Sequence, residues 1–477
     1  MPPKPHIQNI LAQRYASQII CEIWSEEGRI ELEREFWIAI LKGQRDLGIP
    51  ISDESIQAYE DVKGNIDLPS IAKREASLRH DVKARIEEFC SLAGFQDIHK
   101  GMTSRDLTDN VEQFQILRSL KAVQIKFIRC LDKLAERSKE WNEILIVGRT
   151  HYAAAQPTTL GKRLSMFGEE MLLAHENLDH LINNYPLRGL KGAVGTSLDQ
   201  LTLLDNDIDK LQLLQKKIRD HLGFQKEFNS VGQVYPRSLD YSVVSTLFQL
   251  GSGLANLAKN IRLMAGNELL TEGFAAGQVG SSAMPHKMNT RSTERINGLQ
   301  NVLGGYVNML SGLTGDQWFE GDVSCSVVRR VSIPDSFFAL DGMLETALHV
   351  LDEMGVYPAI IDRDLRRYMP FLASTTILME SIQRGSGRES AHEAIKQHAI
   401  ASALALRETG AAENDLPERL GSDSRIPLNA TEVNSVLDEA RTLTGESNSQ
   451  VERFTKRVEN LTAKFPESKI IIKSTLI

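Results

Sequence analysis

Residues 273–295, GFAAGQVGSSAMPHKMNTRSTER, place two serines, a lysine and an asparagine in a glycine-rich run that leads into a helical pattern. Gly273, Gly277 and Gly280 allow positive φ and close approach of the backbone to a ligand, and amides at a helix start favour negative charge. No packing requirement asks for that composition. A loop of this kind suits an anion that develops during a reaction, with Ser281 and Ser282 as hydroxyls, Lys287 as a cation and Asn289 as a hydrogen-bonding partner. Composition alone would leave a Gly/Ser-rich run as an ordinary surface loop, so it is the order of its residues that points to chemistry.

Three other segments gather polar residues outside the apolar pattern, each at the end of an element: Arg79-His80-Asp81, Thr103-Ser104 in GMTSRDLTDN, and Thr150-His151 in GRTHYAAAQPTT. A lone histidine is usually a surface or structural residue, which is the reading for His6, His99, His175, His180, His221, His349 and His398. His80 and His151 differ by their company. Neither is paired with cysteine nor set in an H-x-x-x-H face, so general acid–base work is expected in place of zinc ligation. No metal and no cofactor is expected.

Long helices must position these groups. Val111, Phe114, Leu117, Leu120, Ile125, Ile128, Leu131 and Leu134 recur at helical spacing over 111–141. A second such stretch runs from Thr158 to about Leu181 after Pro157, and a third from Leu239 to Leu270, where Gly251, Ser252, Gly253 and Ala255 permit close helix approach. Further helices are expected at about 291–313 and 335–353, giving a bundle of five. Several are apolar on more than one face, more than a single chain can cover, which predicts a symmetric homo-oligomer. Softer boundaries fall at Gly94–Gly101 and Pro358–Pro370, and DLPERLGSDSRIPL reads as a surface loop.

The chain has 477 residues, 42% hydrophobic and 25% charged, which describes an ordinary globular protein of two or three domains. A net charge of −8 without a basic stripe argues against nucleic-acid binding. Cys21, Cys90, Cys130 and Cys325 are widely spaced, as in a reducing compartment. No apolar run reaches the ~20 residues of a membrane span, and MPPKPHIQNILAQRY lacks the apolar core of a signal peptide, so a cytoplasmic protein with no membrane contact is expected.

The serine run resembles the signature of the aspartase/fumarase superfamily, G-S-S-x-M-P-x-K-x-N, at Gly280, Ser281, Ser282, Met284, Pro285, Lys287 and Asn289. Within it, nearly the whole chain resembles the adenylosuccinate lyase family. Arg14-Tyr15 in QRYAS is similar to that family's amino-terminal phosphate-contact motif, and Arg79-His80-Asp81 to its R-H-D. THYAAAQPTTLGKR is similar to its T-H-x-x-x-A-Q-x-T-T-x-G-K-R, and SSAMPHKMN to its S-S-A-M-P-x-K-x-N. Two positions depart: Thr290 stands where proline is usual, and Glu320-Gly321-Asp322 where the family has E-R-D, with Arg329 and Arg330 close enough in sequence to supply the missing charge.

The resemblance implies an all-α, three-domain fold: 1–110, contributing His80; 111–364, a central long-helix bundle contributing His151 and the serine loop; and 365–477. It implies a homotetramer with a twenty-helix core and active sites shared by three chains. The implied reaction is β-elimination of fumarate from adenylosuccinate, giving AMP, and from the succinocarboxamide ribotide SAICAR, giving AICAR. Carried over residue by residue, Ser281 is the base, His151 the acid, and His80 a residue that orients substrate or His151. Lys287 and Asn289 would hold the succinyl carboxylates with Thr103, Ser104 and Gln233, while Arg14, Tyr15, Arg295, Ser326 and Arg330 would hold the phosphoribosyl part; Arg79, Asp81 and Thr150 complete the substrate-binding set. The serine's acidity would be raised by Lys287 and the following helix start. The alternatives are a sister lyase (argininosuccinate lyase, fumarase or carboxymuconate cycloisomerase), against which Arg14-Tyr15 speaks, and a non-catalytic scaffold, against which the retained Ser281, His151, His80 and Lys287 speak.

Overall fold

The computed structural model describes residues 8–273, 284, 286–411, 413–440 and 442–470; Ser281 and Pro285 lie outside them. Five long helices build the centre: α1 (Ser104–Glu140), α2 (Leu160–Asn184), α3 (Ser238–Gly266), α4 (Arg291–Ser311) and α5 (Ser324–Glu353). Thr103 and Asp106 start α1 with a capping box, the Thr103 amide donating to Asp106 Oδ2 at 2.9 Å. Its apolar face, including Val111, Leu117, Leu120, Leu131 and Leu134, is buried as the spacing predicts, each such side chain contributing roughly 1.5–3 kcal/mol. Gly251 and Gly253 on α3 allow neighbouring helices to approach closely. A Cβ at Gly251 would stand 2.2 Å from Gln300 Oε1, and one at Gly253 2.7 Å from Met171 Cγ.

Cross-helix bonds fix the directions. Asn177 reaches Gln249 and Asn256 reaches Glu170, so α2 and α3 are antiparallel; Asn297 donates to the Ala255 carbonyl and Tyr306 to Asp335, which makes α4 antiparallel to both α3 and α5. Lys126 pairs with Asp341 and Arg137 donates to the Leu351 carbonyl, so α1 and α5 are parallel. The starts of α1, α3 and α5 therefore share one end of the bundle, and the starts of α2 and α4 the other. From Ser326 to Glu353 the ends lie about 40 Å apart at ~1.5 Å per residue.

Four elements differ from the sequence reading. Residues 145–159 form a hairpin, β1 (Leu145–Thr150) with β2 (Ala153–Thr159), so Pro157 pairs with Val147 in a strand and does not open a helix. The last bundle helix begins at Ser324, eleven positions before the expected 335, with Pro334 inside it. Pro358–Pro370 lies within one helix, Pro358–Leu372, whose Pro358 occupies its first turn. Leu416–Gly421, expected as loop, is helical because Leu416 and Leu420 are buried and Pro417 sits where a helix start tolerates it. None of the described helices is long and apolar enough to cross a membrane.

Candidate active site

At the end of the bundle where α1 and α5 start, a cleft of about 760 Å³ is lined by His80, Asp81, Ser104, Arg105, Ser326 and Arg330, among others. Five of these six are residues the sequence singled out. His80 is the N-cap of the helix Asp81–Ala93, its Nδ1 accepting from the Lys83 amide at 3.3 Å, which leaves Nε2 to carry the proton and act as donor. Asp81 is held by Arg85, whose Nη2 lies 3.2 Å from Oδ2. Burial raises the Asp81 carboxyl, but Arg85 and the Val82 amide outweigh it, and the net position is below the usual range. Arg79 is exposed in the left-handed conformation at the preceding helix end. Gln233 lies at the same end, its amide donating to the Glu320 carbonyl at 2.8 Å.

The acidic members of GMTSRDLTDN turn inward, away from the cleft. Asp106 takes Arg188 Nη1 at 2.6 Å together with the Lys191 and Gly192 amides, and Asn110 bonds both backbone groups of Gly189. Asp109 is bound by Arg105 at 3.0 Å and Arg237 at 2.9 Å. Arg329 is fully buried and consumed by Asp240 at 2.7 Å, Glu112 at 2.9 Å and the Tyr235 hydroxyl. It is therefore part of the floor, and of the two arginines that might replace a cation at position 321 only Arg330 faces the cleft exposed. Burial pushes Glu112 up, and Arg329 only partly offsets it. Gly321 itself has φ 144°, and a Cβ there would lie 2.9 Å from Val234 Cγ2, so the backbone excludes a side chain as it stands.

Thr150 and His151 lie at the opposite end. Thr150 pairs with Ala153 across a two-residue turn formed by His151 and Tyr152, both at positive φ, 50° and 64°. That is a primed hairpin turn made without glycine or asparagine, a local cost that persists only under external restraint. The restraints are visible. Arg149 reaches both Asp364 oxygens at 3.0 and 3.1 Å, and Tyr152 Oη accepts from Asn267 Nδ2 at 2.9 Å. His151 is exposed at the tip.

The stems of the serine loop meet near the same end, where a second cleft, about 430 Å³, is lined by Glu268, Glu272, Gly273, His286, Asn289 and Thr290 among others. Glu272 is buried and closes the loop at its base: one oxygen accepts from the Ser292 amide at 2.8 Å, the other from the Thr293 amide at 2.9 Å and the Thr293 hydroxyl at 2.8 Å. Two amides at the start of α4, expected to serve the loop, thus hold a resident carboxylate, and Lys287 beyond the loop is exposed. Ser281 lies outside the described residues. Thr290, the departure from proline, is the residue at the N-cap of α4.

Tyr15 and Arg295 form a third group halfway along α5. The Arg295 guanidinium sits 5.6 Å from the Tyr15 ring centre, and Tyr15 lies so close to α5 that a Cβ at Gly342 would be 2.6 Å from its own Cβ. Arg14 beside it is exposed. The chain thus assembles the candidates in three places and not in one.

Sequence reasoning missed Arg105, Glu272 and the strained turn at 151–152. Arg105 and Asp109 look like a surface i, i+4 pair, Glu272 finds its partners some twenty residues on, and the turn lacks the Asn-Gly signal.

The five-helix bundle, with the stems of the serine run at one end and a His/Ser/Arg cleft at the other, defines a lyase of the aspartase/fumarase superfamily. Residues 16–304 match the family described as Lyase, and residues 370–454 match the adenylosuccinate lyase C-terminus. The adenylosuccinate lyase of Saccharomyces cerevisiae is 32% identical over 469 residues, 96% of each chain, and that of Schistosoma mansoni is 31% identical over 94% of each. The chain belongs to the adenylosuccinate lyase family. Among solved structures, the 3-carboxy-cis,cis-muconate lactonizing enzyme of Pseudomonas putida superposes with a TM-score of 0.81 at 19% identity, covering 95% of this chain and all of that one. A fumarate lyase from Mesorhizobium sp. BNC1 gives 0.77 at 18%, likewise over 95% of this chain and all of that one. At those identities the likeness is one of fold.

Proposed function

We propose that this chain cleaves adenylosuccinate to AMP and fumarate, and SAICAR to AICAR and fumarate, with Ser281 as base and His151 as acid. The proton next to a carboxylate is weakly acidic, so the base must be placed and the dianion that forms must meet fixed donors. Ser281 Oγ takes that proton, its acidity raised by Lys287 and the loop amides. Lys287 and Asn289, with Thr103, Ser104 and Gln233 assisting, hold the succinyl carboxylates as charge builds. The C–N bond then breaks, and His151 protonates the departing nitrogen. His80, with its Nε2 donor over the cleft, orients the substrate, while Arg14, Tyr15, Arg295, Ser326 and Arg330 hold the phosphoribosyl part, and Arg79, Asp81 and Thr150 line the approach. No cofactor is required by this chemistry.

One observation carries the reading: a chain of this family places His80, Asp81, Ser104, Ser326 and Arg330 around a single cleft. That cleft and the His151 hairpin are separated by about 40 Å at ~1.5 Å rise per residue along α5, too far for one substrate. The reading therefore needs copies of the chain to combine their ends, which a homotetramer with a twenty-helix core does. Val331 on α5 is exposed, as are Val302 and Met309 on α4, which is apolar cover such a core would use. A cytoplasmic setting agrees with purine metabolism. The test is an absorbance assay with adenylosuccinate: fumarate and AMP should appear in equal amounts, and Ser281→Ala should lower turnover by ~100-fold or more. A Ser281→Ala enzyme within tenfold of the parent would remove Ser281 from the role.

A further inference from the structure

Arg105 is a cleft cation that neither the motif nor the resemblance assigns. Its side chain is 13% exposed and fixed at both ends of its fork: Nη1 donates to Asp109 Oδ1 at 3.0 Å and Nη2 to Ser326 Oγ at 2.9 Å. The consequence for Ser326 is chemical. Having accepted a charge-assisted bond on its oxygen, the hydroxyl keeps its own proton to donate. Arg330 follows Ser326 by one helical turn on α5, so the two face the same side.

Two buried arginines of the cleft are committed. Arg85 is held by Glu33 at 2.6 Å and Asp81 at 3.2 Å, and Arg329 is spent on Asp240 and Glu112 in the floor. Position 321 has no side chain and no room for one. Asp109, in contrast, retains Arg237 at 2.9 Å whether or not Arg105 is present. The Arg105 guanidinium is thus not needed to neutralise the buried carboxylate, and its position at the cleft wall calls for another partner.

We propose that Arg105, Ser326 and Arg330 form the subsite for the substrate's phosphate, Arg105 supplying the fixed cation that Gly321 does not. This rests on the function proposed above. The substrate has anionic groups at both ends, phosphate and succinyl carboxylates, and the two products separate them: AMP reports the first, fumarate the second.

Inhibition constants for AMP and fumarate, and the Michaelis constant for adenylosuccinate, are measured for the parent, Arg105→Gln, Arg105→Lys and Ser326→Ala, with AMP binding checked by calorimetry. Arg105→Gln should raise the Michaelis constant and the AMP constant ~10–100-fold while leaving the fumarate constant within about twofold, and Arg105→Lys should recover part of the loss. Ser326→Ala, a small change at a half-buried hydroxyl, should move the same two constants in the same direction, and decides the matter if Arg105→Gln does not fold. Unchanged AMP binding, equal weakening of AMP and fumarate, or weakening of fumarate alone would each overturn the assignment. A parent that neither turns over adenylosuccinate nor binds AMP would overturn the functional reading itself, whereas an active parent with an unaltered Arg105→Gln variant would overturn only the subsite.

Discussion

Replacing Glu272 by glutamine changes one oxygen to an amide nitrogen and tests whether the base of the serine loop is held by charge-assisted bonds. The parent carboxylate accepts three bonds, from the Ser292 amide, the Thr293 amide and the Thr293 hydroxyl, at 2.8–2.9 Å. A glutamine can turn its oxygen to only one side. With oxygen toward Thr293, the new NH₂ faces the Ser292 N–H, donor against donor, and the remaining bonds lose their ionic partner at a helix start. One charge-assisted bond lost and one partly buried N–H left unmet amount to about 2–3 kcal/mol of local stability, with a further ~0.5 kcal/mol from the helix dipole. Glu272→Ala removes all three and should cost more. Because Lys287 and Asn289 hang from this base, the loosening should reach the chemistry: turnover should fall while AMP binding is retained. Urea denaturation and steady-state kinetics on both variants check this. A Glu272→Gln enzyme within 0.5 kcal/mol of the parent (about one bond's lower limit) and with unchanged turnover would refute the reasoning.

Gly321→Arg restores the side chain usual in the family, yet it should not improve the enzyme: φ of 144° and the 2.9 Å approach to Val234 impose strain of ~1–3 kcal/mol. A lower melting temperature with no fall in the Michaelis constant is expected; an unaltered melting temperature and tighter substrate binding would contradict it. His99, which accepts from Trp37 Nε1 at 3.1 Å, is pushed down to about 4, chiefly by burial. The unfolded chain protonates below ~6.5 while the native chain stays neutral. Stability should therefore be lost as pH falls from about 6.5 to 4, by at most roughly 3 kcal/mol from this group. His99→Asn keeps an acceptor and tolerates the positive φ of 67°, so its denaturation free energy should decline less over that interval; an identical decline would exclude His99 as the source.

The bundle was legible because its helices carry apolar residues at helical spacing over twenty-one to thirty-seven positions. From Val111 to Leu134 on α1 the periodic apolar residues are buried where periodicity puts them, Ile125 alone being only half-buried. The 145–159 hairpin was hidden, since its turn is built from His151 and Tyr152, residues that do not announce positive φ. The start of α5 was hidden by Pro334, a residue normally read as a helix boundary but tolerated here within the buried bundle. At the candidate site, motif order picked out His80, Asp81 and Ser104, and the family resemblance Ser326 and Arg330; the five meet in one cleft. It could not tell that Arg329 would be buried and Arg330 presented, because adjacent residues on a helix differ by about 100° in direction, and the packing partner alone decides which side is the floor.

The central claim is that Ser281 and His151 act on one substrate in a site we propose to be shared between chains, the two residues that meet coming from different copies although the hairpin and the loop stems lie near one end of each bundle. Its most direct test mixes two inactive proteins, Ser281→Ala and His151→Asn, the second chosen because asparagine tolerates the left-handed turn that His151 occupies at φ 50°. Each should be well folded and inactive alone. After subunit exchange, verified by co-purification of differently tagged chains, a site drawing the two residues from different chains is intact with a probability of one half times one half, so about a quarter of parental turnover should return. Verified exchange with turnover no higher than the separate variants would contradict the account, placing both residues on one chain or outside the catalytic roles given to them.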